Sequence, residues 1–309
     1  MASITEIKNR LPNDFLEEIY SYFSDGTVDN ILRGISSKRN TTIRVNTLKC
    51  NIYDLMQYFK EINIKFERVL WYKDALIIKN ANEQELQKLD IYKKGYIYLQ
   101  SLSSMIPPLV LSPKPYERIL DVASAPGSKT TQIACLMENK GEIVANELDK
   151  LRFERLKYNV EAQGASIVKL ENGRGEALGK KYIEEFDKVL LDTPCSGEGR
   201  FSSLDPRSYR SWSKKEVLRL SKLQKKLISS ACVALKHGGI LVYSTCTINE
   251  YENEDIVSFA INELGLKLED INIDIKDSIK GITEETEKCI RILPSKDMEG
   301  FFVAKFKKL

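Results

Sequence analysis

Two cysteines follow apolar segments that end in polar turns. Cys195 lies in "LLDTPCSGEG" and Cys246 lies in "YSTCTINE". Pro194 fixes its own φ and holds the first of these turns rigid. A thiol is a nucleophile only where its thiolate is favoured, whereas cysteines inside apolar helical runs, such as Cys135 and Cys232, suit packing. Cys195 and Cys246 are therefore the candidates for covalent chemistry.

The elements around these cysteines alternate between strand and helix from residue 117 onward. Apolar strands such as "RILDVA", "KVLLDT" and "GGILVYST" are separated by helical segments, and 213–237 is predicted to be one long helix. This order predicts a parallel sheet with helices on both faces. In such sheets ligands lie beyond the carboxyl ends of the strands. That rule selects the turns "DVASAPGSKT", "ANE", "LLDTPC" and "YSTC".

Residues 1–110 have a different pattern. Helical apolar spacing occurs at 14–23 and 51–63, and strand-like alternation occurs at 41–49 and 75–79. The mixture predicts an α+β domain. The proline-containing segment "LSPKPYE" is the expected boundary with the rest of the chain.

Composition argues against several classes of protein. The net charge of +3, from 47 Lys and Arg against 44 Asp and Glu, neither requires nor excludes nucleic acid. The six cysteines contain no CxxC pair, and capping of a helix end explains the single histidine, His237, better than catalysis does. We therefore predict no metal site. The first residues do not resemble a signal peptide and no run reaches the length of a membrane span, so we expect a cytoplasmic protein with no membrane partner.

The turn "DVASAPGSKTTQ" joins a strand to a helix through small residues. It lacks the glycine spacing of a P-loop and of the GxGxxG dinucleotide fingerprint. Small residues still allow a ligand to approach the backbone, and the helix N-terminus offers free amides to a carboxylate or phosphate. The next strand ends at Glu147, which either hydrogen-bonds the hydroxyls of a ribose or starts the following helix, where an acid suits the helix dipole.

The motifs "DVASAPGSKT", "LLDTPCSGEGR" and "LVYSTCTINEYENE" resemble those of the Sun/Fmu (Nol/Nop/Sun-type) RNA (cytosine-5) methyltransferases. The resemblance extends from "RVNTLK" to "RILPSKDMEGFFVAKF" and covers nearly the whole chain. It implies an α/β class I S-adenosylmethionine-dependent methyltransferase domain at residues 111–309, Rossmann-like with a mostly parallel sheet. It also implies a small α+β RNA-binding domain at residues 1–110.

The resemblance assigns catalytic roles. The thiol matching Cys246 attacks C6 of cytosine and makes C5 nucleophilic, because a ring carbon of cytosine is otherwise a poor nucleophile. Asp192 is implied to hold the base edge at N3 and the exocyclic amine. Cys195 is implied to assist removal of the C5 proton and release of the product. Lys129 is implied to face both the reacting base and the cofactor pocket.

The resemblance also implies the residues that bind S-adenosylmethionine. Glu147 is implied to contact the ribose with Arg152 nearby, and Glu176 to lie beside the adenine, where the family usually has aspartate. The turn reads Ala-Ser-Ala-Pro-Gly-Ser-Lys where the family usually has Cys-Ala-Ala-Pro-Gly-Gly-Lys. Both substitutions exchange one small residue for another, so we expect the loop geometry to survive. The remaining implied cofactor residues are Ala123, Ser124, Ala125, Pro126, Gly127, Ser128, Lys129 and Asp192.

The RNA partner and several rival functions stay open on the sequence alone. A family member that modifies ribosomal RNA would have the same catalytic residues. Transfer RNA is favoured because the chain is short and shows no appended C-terminal RNA-binding module. A catalytically idle RNA-binding scaffold would not need both Cys195 and Cys246. A protein methyltransferase would not need Cys246, and a DNA methyltransferase would use Cys195 as its nucleophile.

Contacts with RNA are expected to use shape and stacking as well as charge. Tyr96 and Tyr98 in "GYIYLQ" are candidate stacking residues, although tyrosines in strands more often serve packing. The target cytosine must leave its stack to reach the two thiols. We expect the protein to act as a monomer.

Overall fold

Three helices precede the first sheet, and the computed structural model describes residues 3–309. The helices are α1 (Ile4–Lys8), α2 (Asn13–Tyr22) and α3 (Asp25–Ile35). Their apolar faces share one core with Phe201, Tyr209 and Trp212, which come from a loop in the second half of the chain. This N-terminal segment therefore packs directly on the loop that follows Cys195.

A four-stranded antiparallel sheet occupies residues 41–99. Its elements are β1 (Thr41–Val45), α4 (Ile52–Glu61), β2 (Phe66–Arg68), β3 (Ala75–Ile78), α5 (Glu83–Lys88), α6 (Asp90–Lys93) and β4 (Ile97–Leu99). The strands lie in the order β2-β3-β1-β4. The α+β pattern predicted for this part is present. The strand predicted at 41–49 ends at Val45, because the N–H groups of Lys49 and Cys50 both donate to the Asn46 carbonyl at 3.0 Å in a turn.

Helix α7 (Leu102–Leu111) links the two sheets and contains Pro107 and Pro108. Neither proline has an N–H to donate to the helix. The Ser104 carbonyl, four residues before Pro108, instead accepts a hydrogen bond from Gln100 Nε2 at 3.2 Å. The helix is almost wholly buried and shares a core with the large sheet.

The large sheet has nine strands. They are β5 (Arg118–Asp121), β6 (Glu142–Glu147), β7 (Val168–Asn172), β8 (Phe186–Asp192), β9 (Leu235–Thr245), β10 (Leu266–Glu269), β11 (Ser278–Lys280), β12 (Ile290–Ile292) and β13 (Phe301–Lys308). Strands β9-β8-β5-β6-β7 are parallel, which confirms the predicted mostly parallel sheet. Beyond β9, strands β10 to β13 form an antiparallel edge.

Helices cover both faces of this sheet. They are α8 (Ser128–Leu136), α9 (Lys150–Gln163), α10 (Leu178–Lys181), α11 (Lys214–Ala234) and α12 (Glu254–Asn262). Successive strand residues point to opposite faces, so Ile119 and Leu190 enter one core while Leu120 and Val189 enter the other. Burial on both faces explains why these strands are continuously apolar.

The helix predicted at 213–237 is too long at its C-terminal end. Helix α11 ends at Ala234, and the next residues already form β9, where Leu235 pairs with Phe186. His237 lies in that strand, with its Nε2 atom 3.0 Å from Glu184 Oε1. The helix-cap interpretation of His237 is therefore wrong, because these residues pair in the large sheet and the helix ends before them.

The small sheet and the large one are joined through a buried arginine. Arg44 in β1 is 0% exposed, and its guanidinium donates to Gln100 Oε1 at 2.9 Å, Thr131 Oγ1 at 2.9 Å and Cys135 Sγ at 3.3 Å. Thr131 and Cys135 belong to α8, the helix after the small-residue turn. Burying a charge with neutral partners is costly unless its hydrogen bonds are made, so this contact fixes β1 against α8.

Replacement of Arg44 tests that interface. Arg44→Met leaves buried acceptors without donors, so we expect the free energy of unfolding to fall by about 1–3 kcal/mol. Urea denaturation followed by circular dichroism measures the change. Arg68→Met, at an exposed position of β2, is the matched control and is expected to change stability by less than about 0.5 kcal/mol. Equal losses in the two variants would contradict the role given to Arg44.

Candidate active site

The predicted turns meet at one edge of the large sheet. The ends of β5, β8 and β9 open into a cavity of about 1290 Å³, whose other wall comes from residues 38–42 and 97–104. Predicted site residues that line this cavity are Ala123, Ser124, Ala125, Pro126, Ser128, Lys129, Arg152, Asp192, Cys195 and Cys246. Gly127, Glu147 and Glu176 do not line it.

The two thiols are in direct contact. The Sγ atoms of Cys195 and Cys246 are 3.2 Å apart, and the backbone N–H of Cys246 donates to Cys195 Sγ at 3.3 Å. Parallel pairing of β8 with β9 sets Asp192 opposite Ser244. The two following turns therefore leave the sheet side by side, and each delivers its cysteine to the same point.

A buried carboxylate fixes the Cys195 turn. Glu252 is 0% exposed and accepts a hydrogen bond from the Ser196 N–H at 3.0 Å. Gln224 Nε2 donates both to Glu252 and to the Pro194 carbonyl, each at 2.9 Å. The hydroxyls of Ser196 and Thr247 lie 2.8 Å apart and join the two cysteine turns directly. Each turn is thus held by the other and by α11.

Two glycines allow a close backbone crossing under the thiols. The Gly199 N–H donates to the Cys246 carbonyl at 3.0 Å, and the Gly300 N–H donates to the Gly199 carbonyl at 2.8 Å. A Cβ atom on Gly199 would lie 1.9 Å from the Gly300 oxygen, a distance that no packing tolerates. The second glycine of "CSGEG" is therefore required by this crossing.

The thiol pair is electrostatically asymmetric. The hydrogen bond from Cys195 lowers the pKa of the Cys246 thiol and the Arg200 guanidinium lowers it further, whereas burial and then Asp192 and Glu299 oppose these effects. The same contact with Cys246 and then burial raise the pKa of Cys195 well above its ordinary value. Cys246 is therefore the thiol that ionises first, and a thiolate is the nucleophilic form.

Asp192 lies beside the thiols with both carboxylate oxygens engaged. Lys129 Nζ is 2.7 Å from Asp192 Oδ2, and the Ser244 hydroxyl donates to Asp192 Oδ1 at 2.8 Å. Lys129 also donates to Ser104 Oγ at 2.7 Å and lies 5.4 Å from the centre of the Phe301 ring. The lysine is largely buried, so it fixes the carboxylate at the cavity wall.

The small-residue turn between β5 and α8 is held from outside by α9. Gly127 has φ +103, a conformation that favours glycine. Arg152 Nη2 donates to the Ala125 carbonyl at 2.7 Å, and Asn159 Nδ2 donates to the Pro126 carbonyl at 2.8 Å. The turn carries only small side chains beside the cavity, which leaves its backbone open to a ligand.

Glu147 at the end of β6 has a free acceptor. Its Oε1 accepts from the Asp149 N–H at 2.9 Å, whereas its buried Oε2 has no hydrogen-bond partner among residues 3–309 and lies 3.6 Å from Arg152 Nη1. Asp149, not Glu147, caps α9. An unsatisfied buried carboxylate oxygen of this kind is suited to a hydroxyl donor such as a ribose, so the residues present fit the implied cofactor.

Glu176 lies at the same sheet edge but faces another partner. It occupies a short 3₁₀ turn after β7, and its carboxylate is 3.0 Å from Arg174 Nη2. The turn packs closely on the end of β5, and a Cβ atom added to Gly175 would lie only 3.0 Å from Val122. Glu176 is therefore near the small-residue turn while remaining outside the thiol cavity.

Several residues at this site were not found from the sequence. They are Ser104, Arg200, Ser244, Glu252, Glu299 and Phe301. Of the two candidate stacking residues, Tyr96 packs in the core of the small sheet, whereas Tyr98 lines the cavity and accepts from Asn159 Nδ2 at 3.1 Å. Tyr98 therefore braces the small-residue turn at 123–128, the cofactor turn, from the N-terminal side.

Two further features bear on the class of site. Within residues 3–309, no three His, Cys, Asp or Glu side chains are grouped so as to hold a metal ion. None of the helices in that range combines the length and the apolar character that crossing a membrane requires.

The parallel sheet, the small-residue turn after β5 and the ligand edge beyond the strands define a class I S-adenosylmethionine-dependent methyltransferase fold. The chain belongs to the family described as 16S rRNA methyltransferase RsmB/F, whose model matches residues 108–307. A second model, for the N-terminal domain of 16S rRNA methyltransferase RsmF, matches residues 11–102. The resemblance to the Sun/Fmu family is thereby confirmed.

Relatives of the chain are named for two different classes of RNA. Ribosomal RNA small subunit methyltransferase F of Shewanella amazonensis is 37% identical over 310 residues, covering 99% of this chain and 65% of that protein. The chain thus spans less than two thirds of that relative's length. The tRNA (cytosine(49)-C(5))-methyltransferase of Pyrococcus abyssi is 41% identical over 276 residues, covering 86% of this chain and 88% of that protein.

Solved structures of similar proteins share the whole fold. The crystal structure of NSun6 from Pyrococcus horikoshii with SFG superposes with a TM-score of 0.87 at 27% identity. The superposition covers 97% of this chain and 99% of that one.

The difference in acidity between the two thiols can be measured through the pH dependence of alkylation. Alkylation of Cys246 by iodoacetamide is expected to reach half its maximal rate below the pH of an ordinary thiol, because Cys195 donates to its thiolate. Cys195→Ala removes that donor, so the midpoint is expected to move to higher pH. Peptide mass spectrometry across a pH series measures both. Cys50→Ala, away from the cavity, is the control; an unchanged or lower midpoint in Cys195→Ala would contradict the hydrogen bond's effect.

Proposed function

We propose that the protein transfers a methyl group from S-adenosylmethionine to C5 of cytosine in RNA. The observation that carries this proposal is the contact between Cys195 and Cys246, with Cys246 the more acidic thiol and Asp192 beside them. Methylation of a ring carbon needs covalent activation, and a site for methylating oxygen or nitrogen has no use for two thiols. A catalytically idle scaffold has no use for them either.

Covalent activation assigns one role to each side chain. The Cys246 thiolate adds to C6 of the cytosine, and electron density moves to C5. Asp192, oriented by Lys129 and Ser244, accepts from the exocyclic amine and, protonated or sharing a proton, donates to N3 as negative charge develops there. Once C5 carries the methyl group, Cys195, having first given up its own thiol proton to solvent, accepts the C5 proton. Elimination of the Cys246 sulfur from C6 then restores the aromatic ring.

The cofactor side of the site has its own residues. Bound there, S-adenosylmethionine supplies an electrophilic methyl group. The backbone of the turn from Ala123 to Ser128 holds the amino-acid end of the cofactor, and the free Oε2 of Glu147 accepts from the ribose. Arg152 supports both, since its guanidinium reaches the turn and Glu147. Glu176 faces the adenine after release from Arg174.

Transfer RNA is the proposed substrate, recognised partly by residues 1–110 as an RNA-binding domain. The support is sequence identity, because the Pyrococcus abyssi transfer-RNA enzyme is 41% identical to the chain and the Shewanella ribosomal-RNA enzyme is 37% identical. Ribosomal RNA is the second candidate, favoured by the match of residues 11–102 to the RsmF N-terminal domain. The monomeric state and the cytoplasmic location stay predictions.

The roles of the two thiols are tested by their opposite phenotypes. Cys246→Ala is expected to abolish methyl transfer and to form no covalent complex, because the nucleophile is gone. Cys195→Ala is expected to attack C6 but release product poorly, so a protein–RNA adduct accumulates and is seen as a shifted band in a denaturing gel. Cys50→Ala is the control and is expected to retain full activity. If Cys246→Ala formed the adduct and Cys195→Ala did not, the roles of the two cysteines would be reversed.

The substrate is tested by labelling. The purified protein is incubated with radiolabelled S-adenosylmethionine and total RNA from source cells that lack its gene, and the RNA is then size-fractionated and mapped by bisulfite sequencing. Label in the transfer-RNA fraction at an unconverted cytosine is the expected result. Label in the large ribosomal fraction would replace the substrate and keep the chemistry. Absence of label from every fraction would count against the proposed function.

A further inference from the structure

Arg200 lies at the mouth of the thiol cavity and acts on the Cys246 thiol only through space, without a direct hydrogen bond or ion pair within residues 3–309. It follows the Gly199 crossing, is exposed, and lines the same cavity as Cys195 and Cys246. Within residues 3–309, no carboxylate lies within 4.0 Å of its guanidinium and no side-chain hydrogen bond engages it. An arginine beside a substrate cavity whose donors make no direct hydrogen bond or ion pair is suited to an anion that arrives from outside.

A second cation lies on the adjoining segment, residues 38–40. Lys38 is exposed, lines the cavity and has no acidic partner in the described part of the chain. Its neighbour Arg39 donates to the Gly199 carbonyl at 3.2 Å and the Phe201 carbonyl at 3.3 Å. These bonds fasten residues 38–40 of the N-terminal part to the loop that carries Arg200.

The acidic residues of the same rim are already engaged. Asp297 accepts from Asn40 Nδ2 at 2.6 Å, and Asp192 is held by Lys129. Glu299 lies 4.0 Å from Arg39. Lys129 and Asp192 cancel, so among the charged residues named here Lys38, Arg39 and Arg200 stand against Asp297 and Glu299 and leave one net positive charge at this side of the mouth.

We propose that Arg200 and Lys38 together bind the RNA phosphate that adjoins the target cytidine, at the mouth of the thiol cavity. The proposal rests on the proposed function, because a cytosine whose C6 meets Cys246 leaves its flanking phosphate at the cavity entrance. The guanidinium of Arg200 presents paired donors that match phosphate oxygens, and Lys38 adds a point charge from the N-terminal part. The site would therefore position the RNA strand before the target cytosine enters the cavity.

Salt-dependent RNA binding tests the phosphate site independently of catalysis. The probe is a short single-stranded RNA with one cytidine, labelled with fluorescein, and its Kd is measured by anisotropy over a series of salt concentrations. Each phosphate contact to a single strand contributes about 0.7 to the slope of log Kd against log salt. Arg200→Gln and Lys38→Gln are each expected to weaken binding about tenfold at low salt and to reduce that slope, by about 0.7 for the two together because they share one phosphate.

Arg207→Gln is the matched control, since Arg207 is exposed in the same loop, is paired with Asp205 and does not line the cavity. It is expected to leave the affinity and the slope unchanged. Melting curves of all three variants check that the fold is retained.

An unchanged slope in Arg200→Gln and Lys38→Gln would overturn the phosphate site. The phosphate site is also overturned if Arg200→Gln only moves the pH midpoint for alkylation of Cys246, since the arginine would then serve the thiolate alone. Methyl transfer by the unsubstituted protein is measured in parallel. Methyl transfer together with unchanged salt slopes in the variants would contradict the phosphate site alone. Reduced salt slopes without any methyl transfer would contradict the proposed function and leave a cavity that binds anions.

Discussion

The contact between Cys195 and Cys246 depends on the parallel pairing of β8 with β9. That pairing releases two turns from adjacent strands at the same height, and the crossing of Gly199 beneath Cys246 brings them together. A hydrogen bond between two thiols is asymmetric by nature, because the donor becomes harder to ionise and the acceptor easier. One geometric constraint therefore yields two cysteines with different chemistry.

The N-terminal part of the chain completes this arrangement. Arg44 reaches from the small sheet into α8, the helix that begins at the cofactor turn, and Arg39 reaches the loop beyond Cys195. Tyr98 braces the same turn through Asn159. Displacement of an N-terminal part linked in this way would disturb both the turn after β5 and the loop after Cys195.

The sequence predicted those features that have strong local patterns. The strand predicted to end at Glu147 is observed as β6, and the cysteines were identifiable because proline, glycine and strand ends mark their turns. Helix α7 was not predicted, since Pro107 and Pro108 are typical of helix breaks, and only Gln100 compensates for a missing donor. The overextension of the helix at 213–237 has the opposite cause, because local helical spacing continued past the point where sheet pairing began.

Partners that come from distant positions had no local signal, and they decide the charge around the thiols. Glu198, next to the Gly199 crossing, is buried and accepts from Trp212 and Asn249 at 3.0 Å each. Burial, followed by the charge of Glu252, raises the pKa of Glu198 to about 8. At neutral pH its carboxyl is therefore largely protonated and places no full negative charge behind Cys246. A protonated Glu198 behind the thiols and the arginine at the mouth both favour the thiolate form of Cys246.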